Sequence, residues 1–174
     1  MIADRWGVTD AEVSRRYGCD DLVARPVLAV WRGVDVAAPA DAVWPWVTQI
    51  RVAPYSYDLV DNLGRRSPDR LLGLDPPRVG DPFTATAGRP VGEVLAVDPG
   101  RELTGRILGA VMSYRVEPVG PDVARLLLKV VMARGRVLAP FVAVGDLVMA
   151  RRQLLNLAAL AERDRHRSEP RRGV

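Results

Sequence analysis

The residues of this chain best suited to chemistry crowd into one stretch, PYSYDLVDNLGRRSP, where Tyr55, Tyr57, Asp58, Asp61 and Asn62 follow one another closely. Phenols and carboxylates can donate and accept protons, and an amide can orient a bound group. The sole histidine, His166, lies near the C-terminus, so a Ser-His or Cys-His pair has no base within the body of the chain, and a His-bearing zinc site has no ligands there. The single cysteine, Cys19 in YGCDD, has no partner base in view and reads as a structural or exposed thiol. Any catalysis would fall to carboxylates, tyrosines, arginines, lysine or bound water. No cofactor and no metal is implied.

Spacing decides how that stretch is read. Ser56 can cap a short helix over 57–63, with Asp58 near its positive end and Gly64 as a left-handed stop. Tyr57 and Asp61 are then neighbours one turn apart, as are Asp58 and Asn62, while Leu59 and Leu63 form an apolar edge. Two readings stay open. In one this is a capped surface helix whose carboxylates serve the helix dipole. In the other it is a cavity rim, with Tyr55, Tyr57, Asp58 and Asn62 touching a ligand and Asp58 as a candidate acid or base.

The elements that must position these groups can be traced along the chain. TDAEVSRRYG predicts a short helix with a Thr9/Glu12 capping box and Gly18 as its stop. RPVLAVWRGVDVAAP predicts a strand with Leu28, Val30, Val34 and Val36 on one face, and Arg32 falls on that apolar face unless Gly33 marks a bulge. ADAVWPWVTQI has helical spacing, with Pro45 expected to kink or end its first turn and Trp44 and Trp46 as anchors to a sheet. After a proline- and glycine-rich loop, residues 81–134 alternate with period two around turns at VDPG and VGPD. This predicts an antiparallel meander with one apolar face carrying Met112, Tyr114, Val116, Leu126, Leu128, Val130 and Met132.

A long helix from about Leu138 to about Arg165 closes the chain, with Val144, Leu147, Val148, Leu154, Leu155 and Ala158 as its apolar stripe. Projection puts Arg151 near the middle of that stripe. A buried guanidinium needs a carboxylate or an anionic ligand. Asp58 or Glu93 could serve as internal partners for Arg32 and Arg151, or the two arginines could favour an acidic ligand.

The 174 residues fit one domain, and a net charge of +4 sits mainly in the arginines of the last dozen positions. That tail lacks interleaved aromatics, which argues against a nucleic-acid partner. The longest apolar run, from Val137 to Ala150, is broken by Asp146 and too short to span a membrane, and no secretion signal is recognisable, so a cytoplasmic protein is expected.

The element order resembles the helix-grip fold of the START and SRPBCC superfamily, polyketide cyclase-like proteins among them. VDVAAPADAVWPWVTQI looks like its first strand and helix, VGEVLAVDPGRELTGRI like its middle hairpin, and the terminal helix completes the match; YSYDLVDNLGRRSP is similar to a segment of uncharacterised actinobacterial-type members. The resemblance implies an α+β fold in which a curved antiparallel sheet wraps a long C-terminal helix around an internal hydrophobic cavity. It implies a helix-grip domain over 26–165, preceded by a helical extension over 1–25 and followed by a basic tail over 166–174. It further implies binding of a hydrophobic, lipid- or polyketide-like molecule, acidic if Arg32 and Arg151 face inward, by a carrier or sensor. Ligand contacts would come from Tyr55, Tyr57, Asp58, Asn62, Arg32, Met112, Tyr114, Leu147 and Arg151. The alternative is a metal-free cyclase or dehydratase in which Tyr57, Asp58 or Tyr114 moves protons. A third reading is a partner-binding module built on the tail or the N-terminal helix.

Overall fold

The computed structural model describes residues 4–133 and 139–168, with side chains in the last helix described over 149–167. The strands are β1 (Arg5–Trp6), β2 (Leu28–Val36), β3 (Thr84–Thr86), β4 (Arg89–Val91), β5 (Glu93–Asp98), β6 (Glu102–Ile107), β7 (Ala110–Gly120) and β8 (Val123–Met132). The helices are α1 (Asp10–Val13), α2 (Gly18–Leu22), α3 (Ala40–Thr48), α4 (Asp58–Asp61) and α5 (Ala139–Ser168). Six strands form one sheet in the order β1-β2-β8-β7-β6-β5, antiparallel except for β1 beside β2, and β3 and β4 make a separate hairpin.

The inner face of the sheet carries the period-two set read from the sequence. Leu28, Val30, Val34, Val36, Leu126, Leu128, Tyr114 and Val116 are buried there beneath α3 and α5. Helix α3 brings Val43, Trp46 and Val47 into the same core and continues past Pro45, which lies inside it. Pro45 lies past the first turn, so its missing N–H forfeits one intrahelical bond, a loss set against the burial of Val43, Trp46 and Val47 on the same helix. A 3-10 turn, Gln49–Val52, follows directly. Gly105 on the inner face of β6 makes room for Phe83: a Cβ there would come within 2.0 Å of the Phe83 ring. That ring in turn lies 6.1 Å from Tyr114.

The meander has two apolar faces rather than the one expected. Tyr17 and Cys19 pack with Val111, Leu127 and Val131 on the outer face, covered by the N-terminal segment. Alternation alone could not show this, because Lys129 and Ser113 interrupt the outer set; both are buried through polar bonds to that segment. Lys129 pairs with Asp20 at 2.5 Å and lies 4.9 Å from the Trp31 ring, and the Ser113 hydroxyl accepts the Cys19 N–H. Cys19 is fully buried, and burial pushes its thiol up to about 11, which leaves it unreactive.

Helix α1 has the predicted capping box between Thr9 and Glu12 but ends at Val13; Gly18 opens α2 instead of stopping α1. Gly18 is required for closeness, since a Cβ would meet Thr104 Oγ1 at 2.5 Å. Glu12 also reaches Arg125 on β8, with Nε to Oε1 at 2.6 Å and Nη2 to Oε2 at 3.1 Å. Hydrogen bonding from Arg125 is the main reason its carboxyl falls from 4.5 to about 2, against an opposing desolvation effect. A depressed folded-state value means that this stability is complete above about pH 4.5 and is lost as pH falls toward 2. After solvent screening we expect the loss to be on the order of 1–2 kcal/mol. Thermal melts between pH 2 and 6 should therefore show a steeper acid decline for the wild type than for Glu12→Gln; parallel curves would remove Glu12 as the cause.

Candidate functional site

The stretch at 54–68 forms a loop clamped onto α5, with a helix shorter than expected. Tyr57 takes the N-cap position of α4 without a side-chain cap, and Ser56 donates its hydroxyl to Met149 O on α5 instead of capping. Gly64 does adopt the left-handed conformation, φ +79°, and its N–H donates to Asp58 O. Tyr55 holds a left-handed φ of +54°, unusual for a residue with a Cβ. What holds it there is a set of amides: Asn156 donates to Tyr55 O at 2.9 Å, Gln153 to Pro54 O at 2.6 Å, and Gln49 to the Tyr55 hydroxyl at 2.6 Å. The Tyr55 ring stands edge-on to Trp46, and burial pushes its hydroxyl up to about 12.

The candidate residues are not all brought together. Tyr55 and Asp58 share a cleft of about 320 Å³ with Ser67, Asp69, Asn156 and Arg163. Both Asp58 oxygens are taken by Ser67, one accepting its N–H at 2.9 Å and the other its hydroxyl at 2.6 Å, so Asp58 closes the loop. Asn62 is buried and points away from that cleft, donating to Arg65 O and accepting the Ala87 N–H at 2.8 Å from the β3–β4 turn. Tyr57 is largely exposed, and the cation over its ring is Arg152, at 6.0 Å.

Arg151 does not face the sheet. It is exposed and lies 4.7 Å from the Trp6 ring, because the buried stripe of α5 is Ala150, Gln153, Leu154, Leu157, Ala158 and Ala161, rotated away from the stripe drawn through Leu155. The Leu147 side chain, like those of Val144 and Val148, lies outside the described residues. Arg32 does face inward. The β2–β8 register runs unbroken through Gly33, so no bulge turns the side chain out; Arg32 is fully buried and donates to Asp4 O and Trp31 O. Gly33 serves another purpose, since the Gly7 backbone lies against it. Neither proposed carboxylate meets these arginines: Glu93 pairs with Arg106 at 3.0 Å on the surface, and Asp58 binds Ser67.

Tyr114 is buried on the inner face, its hydroxyl donating to Gln153 Oε1, and Met112 is half-buried beyond it. Gln49, Gln153 and Asn156, the amides that bind the loop, are absent from the residues singled out by sequence. An amide side chain carries no distinctive signal in itself, although Gln153 does lie on the helical face shared by Ala150, Leu154 and Leu157.

No family model matches the sequence, and no curated protein matches it. Similar solved structures do exist. A protein from Arthrobacter aurescens aligns with 12% identity over 85% of this chain and 94% of its own, at a TM-score of 0.53. NE0264 from Nitrosomonas europaea aligns with 13% identity over 79% and 96%, at 0.52. A START superfamily protein from Mycobacterium smegmatis aligns with 17% identity over 80% and 97%, at 0.44. The fold is the helix-grip fold, a six-stranded sheet packed against a long C-terminal helix. In it the curved sheet and α5 set the position of the 54–68 loop, and no helix among the described residues is long and apolar enough to cross a membrane.

Proposed function

We propose that this helix-grip protein binds a hydrophobic small molecule against the inner face of its sheet, as a carrier or sensor. The observation that carries the reading is the state of that face toward the β6–β7 turn. Ile107, Ala110, Met112 and Met132 continue the apolar surface begun by Leu128, Val130 and Tyr114, yet remain only partly buried. Apolar side chains left partly open suit a ligand of the same character. Methionine, unbranched and adaptable, suits ligands of variable shape. The clamped loop at 54–68 supports a gate beside α5.

The test uses anilinonaphthalene sulfonate, a hydrophobic anion whose fluorescence rises in apolar surroundings, together with native mass spectrometry of the protein as purified. Met112→Trp should fill the open end of the face and weaken probe binding about tenfold, equivalent to about 1.4 kcal/mol. Its thermal midpoint should stay close to that of the wild type. A wild type that neither binds the probe nor retains a ligand would overturn the reading, as would an affinity unchanged by Met112→Trp.

A further inference from the structure

Helix α4 and the turn after it are built inside out. Leu59 is 83% exposed, Val60 68% and Leu63 73%, while both carboxyl oxygens of Asp61 are shielded from solvent. Helical spacing predicts the opposite, with Leu59 and Leu63 as the edge that packs. Four residues make barely one turn, so α4 cannot hold its position by burying an apolar stripe; it is held at its ends by Asp58 on Ser67 and by Asn62 on the β3–β4 turn. Those polar anchors place the acidic groups against the body and leave the aliphatic ones outside. Burial raises the Asp61 carboxyl from its usual range, in keeping with an orientation away from water.

Scattered exposed leucines are ordinary, but three large aliphatic side chains projecting from one tight turn, beside the largely exposed Tyr57, form a compact protrusion. Its surroundings are cationic. Arg65, Arg66 and Arg70 are exposed along the segment that follows, and Arg152 lies exposed beside Tyr57; Asp69 is the exposed carboxylate among them, since Asp58 and Asp61 are turned inward. An aliphatic tip followed directly by exposed Arg65 and Arg66, with Arg152 beside Tyr57, has the chemistry of a membrane-surface anchor: aliphatic groups enter the acyl boundary while guanidinium groups meet lipid phosphates. A protein partner with an apolar pocket would not by itself call for these arginines.

The geometry points to α4 and the 63–66 turn as a docking tip for the surface of an anionic lipid bilayer. The inference stands independently of what the inner face binds, because every group it uses is on the outside. It places the tip on the same loop that Gln49, Gln153 and Asn156 clamp, so docking would pull on the loop beside α5.

The experiment is sedimentation of the full chain with vesicles, comparing phosphatidylcholine alone with an equimolar mixture of phosphatidylcholine and phosphatidylglycerol. The wild type should bind the anionic vesicles at least about tenfold more tightly than the neutral ones. The double substitution Leu59→Asp and Leu63→Asp should lower that binding at least about tenfold, and Arg65→Gln with Arg66→Gln should lower it by about fivefold per arginine. All of these positions are exposed, so circular dichroism should show unchanged melting. A Leu63→Trp variant should show a blue shift on adding the anionic vesicles. Wild-type protein that stays in the supernatant, or aspartate variants that bind as well as wild type, would overturn the inference. So would analytical ultracentrifugation showing a wild-type dimer that the aspartate variants convert to monomer, since the tip would then be a contact between two copies.

Discussion

Trp46→Ala should cost about 3–5 kcal/mol, the range for emptying a fully buried aromatic site. Trp46 is 0% exposed in α3, sits among Val43, Val47 and Ile50, and stands edge-on to Tyr55 with ring centroids 6.1 Å apart. Its indole nitrogen has no hydrogen-bond partner among the described residues, so the loss is one of packing and of the aromatic contact. The substitution would open a void between α3 and the loop at 54–68, removing the ring that braces Tyr55 in its left-handed conformation. Trp46→Phe keeps an aromatic edge and discards the unpaired N–H, and should cost less than half as much. Urea titration of the three proteins checks this. Equal losses in Trp46→Ala and Trp46→Phe would show that the indole nitrogen, and not the packed ring, matters at this site.

Gln49→Leu should be nearly as damaging, for a polar reason. Gln49 is 2% exposed and serves three groups at once: its Nε2 donates to the Tyr55 hydroxyl at 2.6 Å and to Arg70 O at 2.9 Å, and its Oε1 accepts the Leu72 N–H at 2.7 Å. Leucine approaches its volume but pairs with none of them. Leaving buried polar groups unsatisfied costs about 1–3 kcal/mol each, partly recovered where the loop can open to water, so a total of about 3 kcal/mol is expected. The loss should be local. Amide exchange should rise at 70–72 and around Tyr55, while protection in β2, β7 and β8 stays close to wild type. Uniform deprotection would show that Gln49 supports the whole fold, and unchanged exchange would show that the loop is held by other groups. Because the loop flanks the cleft at Tyr55 and Asp58, the same variant separates a gate from a fixed wall. A gate should alter the rate of probe binding to the inner face more than its affinity.

The legible part of the fold follows from short-range pattern. Period-two alternation marked the meander of β5 to β8, and the turns at VDPG and VGPD fall where β5 meets β6 and β7 meets β8, whereas β3 and β4, read as part of the same meander, form a separate hairpin. The Thr9/Glu12 capping box announced α1 because both of its hydrogen bonds close within four residues. Helical phase was harder to read. The stripe of α5 is diluted by small and polar residues, and Ala150, Gln153 and Ala161 carry too little hydrophobicity to outweigh Leu155, which is exposed. That error of phase is what put Arg151 inside when it stacks on Trp6 from outside.

The candidate site was legible in composition and hidden in orientation. Tyr55, Asp58 and Asn62 do belong to one ordered loop, as their crowding suggested, but most of their partners come from residues far away in sequence. Asn156 and Gln153 hold the main chain of Tyr55 and Pro54, and the Asn62 side chain accepts the N–H of Ala87. Whether a carboxylate on a one-turn helix faces water or protein depends on which end of the turn is anchored, and α4 is anchored through its polar groups.

By itself, then, the sequence determined the main strands and helices, the inner face of the meander and the absence of a histidine from the body of the chain, and it left Arg32 inward only if Gly33 made no bulge. Each of these depends on residue identity or on spacing within a single strand or turn. The tertiary structure alone decided that the N-terminal segment covers the outer face of the sheet, that Arg151 meets Trp6, and that Leu59, Val60 and Leu63 project outward. Those outcomes depend on contacts between residues distant along the chain, and local periodicity holds no record of them.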